Sequence, residues 1–223
     1  SFNLVNGTLT VTPATITVTA DNLSKTYASA NPALTYTYSG FVGGQTYGAS
    51  SGVSGTPGIS TLAATSSNAG DYTITVTKGT LAANNYNFTM VNGTLTINKA
   101  TVTVTANNKT RYYGASDSAY TATYSGFLLS DGYGTSGGVS GTPAFSSANS
   151  PRSDAGTYPI IPTQGSLISP NYNFSYTNGI LTVLKATLTV KANNKSRIYG
   201  SADTAYTAGY TGFVNGETSP RPR

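Results

Sequence analysis

Histidine, cysteine and tryptophan are absent from the 223 residues, and only 9% of the residues are charged. Histidine and cysteine supply the commonest metal ligands and nucleophile–base pairs, so their absence removes the usual routes to zinc binding and catalysis. A chain without cysteine fits either a reducing compartment or a secreted protein that never relied on disulfides. The excess of Thr, Ser, Gly and Asn favours the second. We therefore expect a non-enzymatic extracellular protein that needs no cofactor.

Acidic residues are also scarce, since there are only seven, at least 14 positions apart. No single loop therefore collects the several carboxylates that a calcium site prefers. The net charge is +5, but the lysines and arginines are dispersed, whereas a nucleic-acid surface needs them clustered. No apolar run approaches the roughly 20 residues of a transmembrane helix. These patterns predict no metal site, no nucleic-acid partner and no membrane insertion of this segment.

The dominant feature of the sequence is a gapless repeat. Residues 14–99 align with residues 100–185 at a period of 86, and 42 of the 86 positions are identical. We predict that residues 1–13 are the last strand of a preceding repeat, that 14–99 and 100–185 are complete repeats, and that 186–223 are an incomplete third. The sequence thus resembles a piece of a longer, repetitive protein.

The apolar residues alternate with polar ones, as in half-buried strands. Ile16 and Val18 alternate with threonines, and the same pattern recurs one period later. The abundance of Val, Ile, Thr and Tyr also favours strands, and no segment is a convincing helix. The predicted fold class is all-β: tandem small β-sandwich or β-grasp-like modules of 86 residues joined end to end.

Two local signals refine this prediction. Apolar residues fall on odd positions up to Ile97 and on even positions from Val102, so the buried face changes near Lys99 and the linker is very short. Asn-Gly at 92–93 and 178–179 predicts a hairpin between the last two strands of each repeat, with positive φ at the glycine.

The predicted core of the second repeat is Val104, Tyr124, Phe127, Val139, Tyr158, Ile160, Tyr172, Phe174, Leu181 and Val183.

Several landmarks recur at fixed offsets. The second copy reads ATVTVTANNK, then Tyr113-Gly114, YTATYSGF, GVSGTP, AGTYPI and NYNFSYTNGILTVLKAT. Together they resemble the MBG domain of the YGX type, over essentially the whole chain, although Tyr27 is followed by Ala28 rather than glycine. The resemblance implies an extracellular β-module found in tandem in large bacterial surface proteins, including filamentous-haemagglutinin-like adhesins, with no catalytic residues.

The predicted function is a structural stalk that holds a binding region away from the bacterial cell. Two alternatives remain open: the modules themselves bind glycans, or the chain is part of a self-assembling extracellular filament. The expected partners are therefore neighbouring repeats, host or matrix glycans, and copies of the chain itself. The candidates for surface contact lie in two Gly/Ser-rich loops and two NNK-x-R stretches interpreted as loops: Tyr47, Tyr133, Lys109, Arg111, Lys195 and Arg197.

Overall fold

The structure is a computed structural model that describes residues 2–218. Within these residues the regular elements are strands, with no helix, and the prediction of tandem all-β modules is confirmed. The strands are β1 Ala14–Ala20, β2 Leu23–Thr26, β3 Tyr36–Ser39, β4 Gly58–Thr61, β5 Gly70–Thr77, β6 Tyr86–Val91, β7 Gly93–Asn98, β8 Ala100–Ala106, β9 Lys109–Tyr112, β10 Ala122–Ser125, β11 Ala144–Ser146, β12 Gly156–Thr163, β13 Tyr172–Thr177, β14 Gly179–Leu184, β15 Thr189–Ala192 and β16 Ala208–Thr211.

The first repeat contains two sheets, ordered β3-β1-β6 and β2-β7-β5-β4. Strand β1 is antiparallel to β3 and parallel to β6. Strand β7 is parallel to β2 and antiparallel to β5. Because β1 also contacts β5 and β7 of the other sheet, the two sheets enclose a core between them. The second repeat has equivalent sheets, β10-β8-β13 and β11-β12-β14-β9, and β15 pairs with β16 further along.

Alternation along the strands places the core as the sequence predicts. In β1 the side chains of Ile16 and Val18 are fully buried, while the threonines between them are less so. Six of the ten predicted core residues of the second repeat are buried, and the other four are half-buried. The buried six are Val104, Val139, Ile160, Tyr172, Leu181 and Val183.

The change of buried face occurs at the predicted position. Strand β7 ends at Asn98 and β8 begins at Ala100, so only Lys99 separates them. The compact units nevertheless differ from the sequence repeats. One unit comprises residues 2–100, 128–138 and 169–173, and the other comprises residues 101–127, 139–168 and 174–218. The limits of the four predicted segments therefore stay a prediction.

The predicted Asn-Gly hairpin is wrong. Strand β6 lies beside β1 in one sheet, whereas β7 lies between β5 and β2 in the other. The side-chain Oδ1 of Asn92 accepts a hydrogen bond from the amide of Val76 at 3.1 Å. The φ angles of Gly93 and Gly179 lie outside the left-handed region, contrary to the prediction. Because β6 and β7 lie in different sheets, the Asn-Gly step moves the chain from one sheet to the other.

Gly93 is required by a close approach of two backbones. The chain also changes sheets between β1 and β2, and that crossing lies against Gly93. A Cβ atom on Gly93 would lie 2.6 Å from the carbonyl oxygen of Ala20 and 2.8 Å from that of Asp21. Beside this contact, the Oδ1 of Asn22 accepts a hydrogen bond from the amide of Thr94 at 2.8 Å. Gly93 thus allows the two crossings to approach each other, and the side chain of Asn22 bonds them together.

Candidate functional site: the contact between consecutive repeats

The two predicted aromatic contacts are only partly available at the surface. Tyr47 is 44% exposed, but its ring stacks on Tyr38 with centroids 5.2 Å apart. Its hydroxyl donates to the carbonyl of Gly55. Tyr133, one period later, is 49% exposed. Stacking of a sugar on either tyrosine stays a prediction.

Arg111 lies inside its repeat, contrary to its selection as a surface residue. It belongs to strand β9, so the loop interpretation of this stretch is wrong. Its Nε donates to Asp117 Oδ1 at 2.6 Å, and its Nη2 donates to the carbonyl of Ser150 at 2.6 Å. The guanidinium therefore ties a strand to two loops. Lys109 is half-buried on the same strand.

The third copy leaves its cations more accessible. Arg197 pairs with Asp203 at 2.7 Å, and the two side chains are 51% and 59% exposed. Lys195 is exposed and lines a pocket of about 140 Å³ with Arg197, Asp203 and Tyr206. Contact of Lys195 and Arg197 with acidic glycans stays a prediction.

The surroundings of Asp117 lower the pKa of its carboxyl. Burial raises the pKa of this carboxyl, but hydrogen bonds from Asn149, Tyr120 and Arg111 outweigh burial and lower it below its ordinary value. A carboxylate whose pKa is lower in the folded state stabilises the fold at pH values above its unfolded pKa. That stabilisation disappears as the pH falls through the folded pKa.

We expect urea unfolding to show that the second repeat loses stability as the pH falls below 3.8, the ordinary pKa of the carboxyl, because Asp117 becomes protonated. Asp117→Asn should flatten this dependence, since the amide does not titrate. The first repeat has Asn31 at the equivalent position and provides an internal comparison. An equal pH dependence in wild type and variant would contradict this role for Asp117.

A network of hydrogen bonds within the first unit joins residues of two consecutive repeats. Tyr27 of the first repeat and Tyr172 of the second both donate hydrogen bonds to Asp131 Oδ2, at 2.9 and 2.8 Å. The two rings meet edge to face with centroids 5.6 Å apart. The amide of Leu128 donates to the hydroxyl of Tyr172 at 2.9 Å. One carboxylate oxygen thus links the two repeats.

Burial and the carboxylate keep these hydroxyls protonated. Burial, followed by the hydrogen bond to Asp131, raises the pKa of Tyr27 above its ordinary value. Burial raises the pKa of Tyr172 to about 12, against an opposing hydrogen bond from the backbone of Leu128. A tyrosine whose pKa is raised in the folded state stabilises the fold at pH values below its unfolded pKa of 10.0. This stabilisation is lost as the pH rises through the folded pKa. The contact is therefore intact throughout the neutral range.

Asn171 adds an amide to the same contact and is completely buried. Its Oδ1 accepts from the amide of Ala69 at 2.9 Å, and its Nδ2 donates to Asn68 Oδ1 at 3.0 Å and to the carbonyl of Gly137 at 3.1 Å. A buried amide with all these partners satisfied fixes the segments that it joins, because losing one partner leaves others unpaired.

The tyrosine–carboxylate pair recurs one period later, within the second unit. Tyr113 donates its hydroxyl to Glu217 Oε1, and the separation of 104 residues equals that between Tyr27 and Asp131. This hydrogen bond is the largest cause of the raised pKa of Tyr113. The residue after each tyrosine has positive φ, +66° at Ala28 and +83° at Gly114. The turn therefore forms with alanine as well as with glycine.

Sequence reasoning missed Asp131 and Asn171. A usable signal was present, because Gln45, Asp131 and Glu217 are spaced by one period and all carry an acceptor oxygen. In the first repeat, Tyr86 donates to Gln45 Oε1. The same position thus receives a tyrosine hydroxyl in all three copies.

Comparison with known families places these contacts in context. The family model for the MBG domain (YGX type) matches residues 16–96, 102–182 and 188–221. The chain belongs to the MBG domain family of the YGX type. MBG repeats are typical of extracellular surface proteins and are generally structural modules without enzymatic activity. Comparison with curated proteins finds no match.

Within residues 2–218, no three acidic side chains come together as a group that could hold a metal ion. No helix there is long and apolar enough to cross a membrane.

We expect Tyr27→Phe to lower the free energy of unfolding of the first unit by about 1–2 kcal/mol, because hydrogen bonds to charged groups stabilise by about 1.5–3 kcal/mol and Tyr172 still serves Asp131. The matched change Tyr113→Phe should have less effect, since its partner Glu217 is exposed and water can replace the hydroxyl. Denaturant unfolding of both variants checks the difference. Equal losses would show that the lower exposure of Asp131, compared with Glu217, is not the cause.

Proposed function

We propose that these MBG repeats are the stalk of a bacterial extracellular adhesin, where they hold a binding region away from the cell. The observation that carries the proposal is the recurrent coupling of consecutive repeats. Tyr27 meets Asp131 and Tyr113 meets Glu217 at the same separation along the sequence. A side chain of one repeat is thus fixed by the repeat that follows.

The connection between strands of consecutive repeats supports the same function. Lys99 alone separates β7 from β8, and its Nζ donates to the carbonyl of Ser169 at 2.8 Å. A long, flexible linker lets modules move independently, whereas a single tethered residue restricts them. Repeat proteins gain much of their stability from such contacts between neighbours. A spacer needs repeats that couple in this way more than it needs one specialised binding site.

Small-angle scattering of the purified chain tests the stalk. A compact protein of this length would have a radius of gyration of about 17 Å. A stalk predicts a clearly larger value that does not change with concentration. The double variant Tyr27→Phe with Asn171→Ala should broaden the distribution of distances, because the first coupling contact is then weakened. A wild-type value near that of a compact globule would reject the proposal.

A second candidate function, a segment of a self-assembling filament, is favoured by one specific observation. The apolar side chains of residues 2–12 are 84% or more exposed: Phe2, Leu4, Val5, Leu9 and Val11. The matching residues 88–98 of the first repeat form the end of β6, the step at Asn92 and all of β7, where Leu95 and Ile97 are buried. Exposed strand-forming segments are templates for pairing with another chain. Sedimentation over a wide concentration range tests this, since a filament subunit would grow and a stalk would stay monomeric.

A further inference from the structure

The second unit contains a pocket of about 420 Å³ beside the Tyr113–Glu217 contact. Six of the residues that line it are Tyr113, Asp154, Ala155, Lys185, Ala186 and Glu217. One period earlier, the equivalent residues are Tyr27, Asn68, Ala69, Lys99, Ala100 and Asp131. The pocket can therefore be compared, residue by residue, with the equivalent place in the first unit.

In the first unit the equivalent residues surround the segment 169–172, which reads Ser-Pro-Asn-Tyr. Lys99 Nζ donates to the carbonyl of Ser169, and the amide of Ala100 donates to the carbonyl of Asn171 at 2.9 Å. The Asn171 side chain bonds Ala69 and Asn68, and the Tyr172 hydroxyl bonds Asp131. The segment thus has a polar partner at each of its main functional groups.

We propose that the pocket of the second unit is the docking site for a Ser-Pro-Asn-Tyr segment of an MBG repeat, as residues 169–172 dock in the first unit. The proposal rests on the repeat coupling of the proposed function and names the segment that is recognised. The asparagine Oδ1 accepts from the amide of Ala155, and its Nδ2 donates to the carboxylate of Asp154. The tyrosine hydroxyl donates to Glu217.

The charges of the pocket fit this segment better than they fit an apolar one. Asp154 replaces the neutral Asn68 of the first unit, and a carboxylate accepts a stronger hydrogen bond than an amide. Lys185 supplies an ammonium for the serine carbonyl, as Lys99 does in the first unit. An aliphatic peptide could contact only the apolar side of the pocket, Leu188, Phe213 and Val214, and would make no hydrogen bond to Asp154 or Lys185.

Titration of the ¹⁵N-labelled chain with a synthetic peptide of residues 168–177, ISPNYNFSYT, tests the docking site. Saturable shifts are expected at the amides of Ala155, Lys185 and Glu217. Peptides carrying Asn171→Ala or Tyr172→Phe should bind about tenfold more weakly, because each loses hydrogen bonds that the pocket is built to make. A peptide of scrambled sequence should not bind.

Variants of the chain make the assignment specific. Asp154 is exposed and its side chain can be removed without disturbing the core, so Asp154→Ala should weaken peptide binding about tenfold. The control Asp71→Ala removes an acid from strand β5 and should leave the affinity unchanged. Absence of binding at millimolar peptide, or equal affinity for wild type and Asp154→Ala, would overturn the proposal.

The two proposals fail in different ways. A large radius of gyration without peptide binding would reject the docking site and leave the stalk in place. Peptide binding by a chain that scatters as a compact globule would reject the stalk and leave the docking site in place.

Discussion

Gly93→Ala should lower the free energy of unfolding of the first unit by about 2–3 kcal/mol, because overpacking a tight contact has costs of this size. The added Cβ would lie 2.6 Å from the carbonyl oxygen of Ala20, and 2.8 Å from that of Asp21. Both neighbours are backbone atoms, so no side chain can rotate away. The two sheet-to-sheet crossings must separate instead, which stretches the hydrogen bond between Asn22 and Thr94.

Gly7→Ala is the matched control, since Gly7 occupies the same position of the repeat pattern and a Cβ there meets nothing within 4 Å. Denaturant unfolding should show no loss for this variant. If both substitutions had the same small effect, the requirement for glycine at position 93 would not come from the crossing of the strands.

Arg111→Met should lower the free energy of unfolding of the second unit by about 3 kcal/mol, because removing one partner of a buried ion pair costs about 3–5 kcal/mol and Asp117 is partly solvated. The Arg111 side chain is 5% exposed and that of Asp117 is 29% exposed. Methionine retains most of the apolar stem, so the loss reports the missing hydrogen bonds to Asp117 and Ser150 rather than a cavity.

Arg197→Met removes the equivalent cation from a pair that is more than half exposed. Exposed ion pairs contribute little to the free energy of unfolding, so this control should change it by less than about 1 kcal/mol. Hydrogen exchange resolves the location of the effect: Arg111→Met should accelerate exchange in residues 109–112 and 150–153. Equal effects of the two substitutions would show that burial does not decide the contribution of this arginine.

The strand class and the change of buried face could be predicted from the sequence because each is a local pattern, and the period could be predicted because a whole segment recurs without a gap. The alternation of Ile16 and Val18 with threonines needs no knowledge of distant residues to be interpreted. The position of Lys99 between β7 and β8 likewise follows from a shift in the alternation. Such patterns determine which face of a strand is buried, whatever the partner strand is.

The predictions that failed depended on partners far along the chain. Asn-Gly is a strong local signal for a hairpin, but β6 and β7 find better partners in separate sheets. Arg111 was assigned to the surface because exposed charge is the usual case, yet Asp117 and Ser150 provide partners inside the repeat. The Tyr27–Asp131 contact spans 104 residues, and only a comparison of all three copies at one position could have suggested it.

The parallel pairing of strands has a mechanical consequence for any repeat that is pulled from both ends. Strand β1 enters the repeat beside β6 in parallel, with six residue pairs from Ala14–Tyr86 to Thr19–Val91. Strand β2 lies parallel to β7, the strand that leaves the repeat. Tension on the entering and leaving strands therefore slides parallel neighbours past each other, so that many hydrogen bonds bear the load together instead of opening one after another.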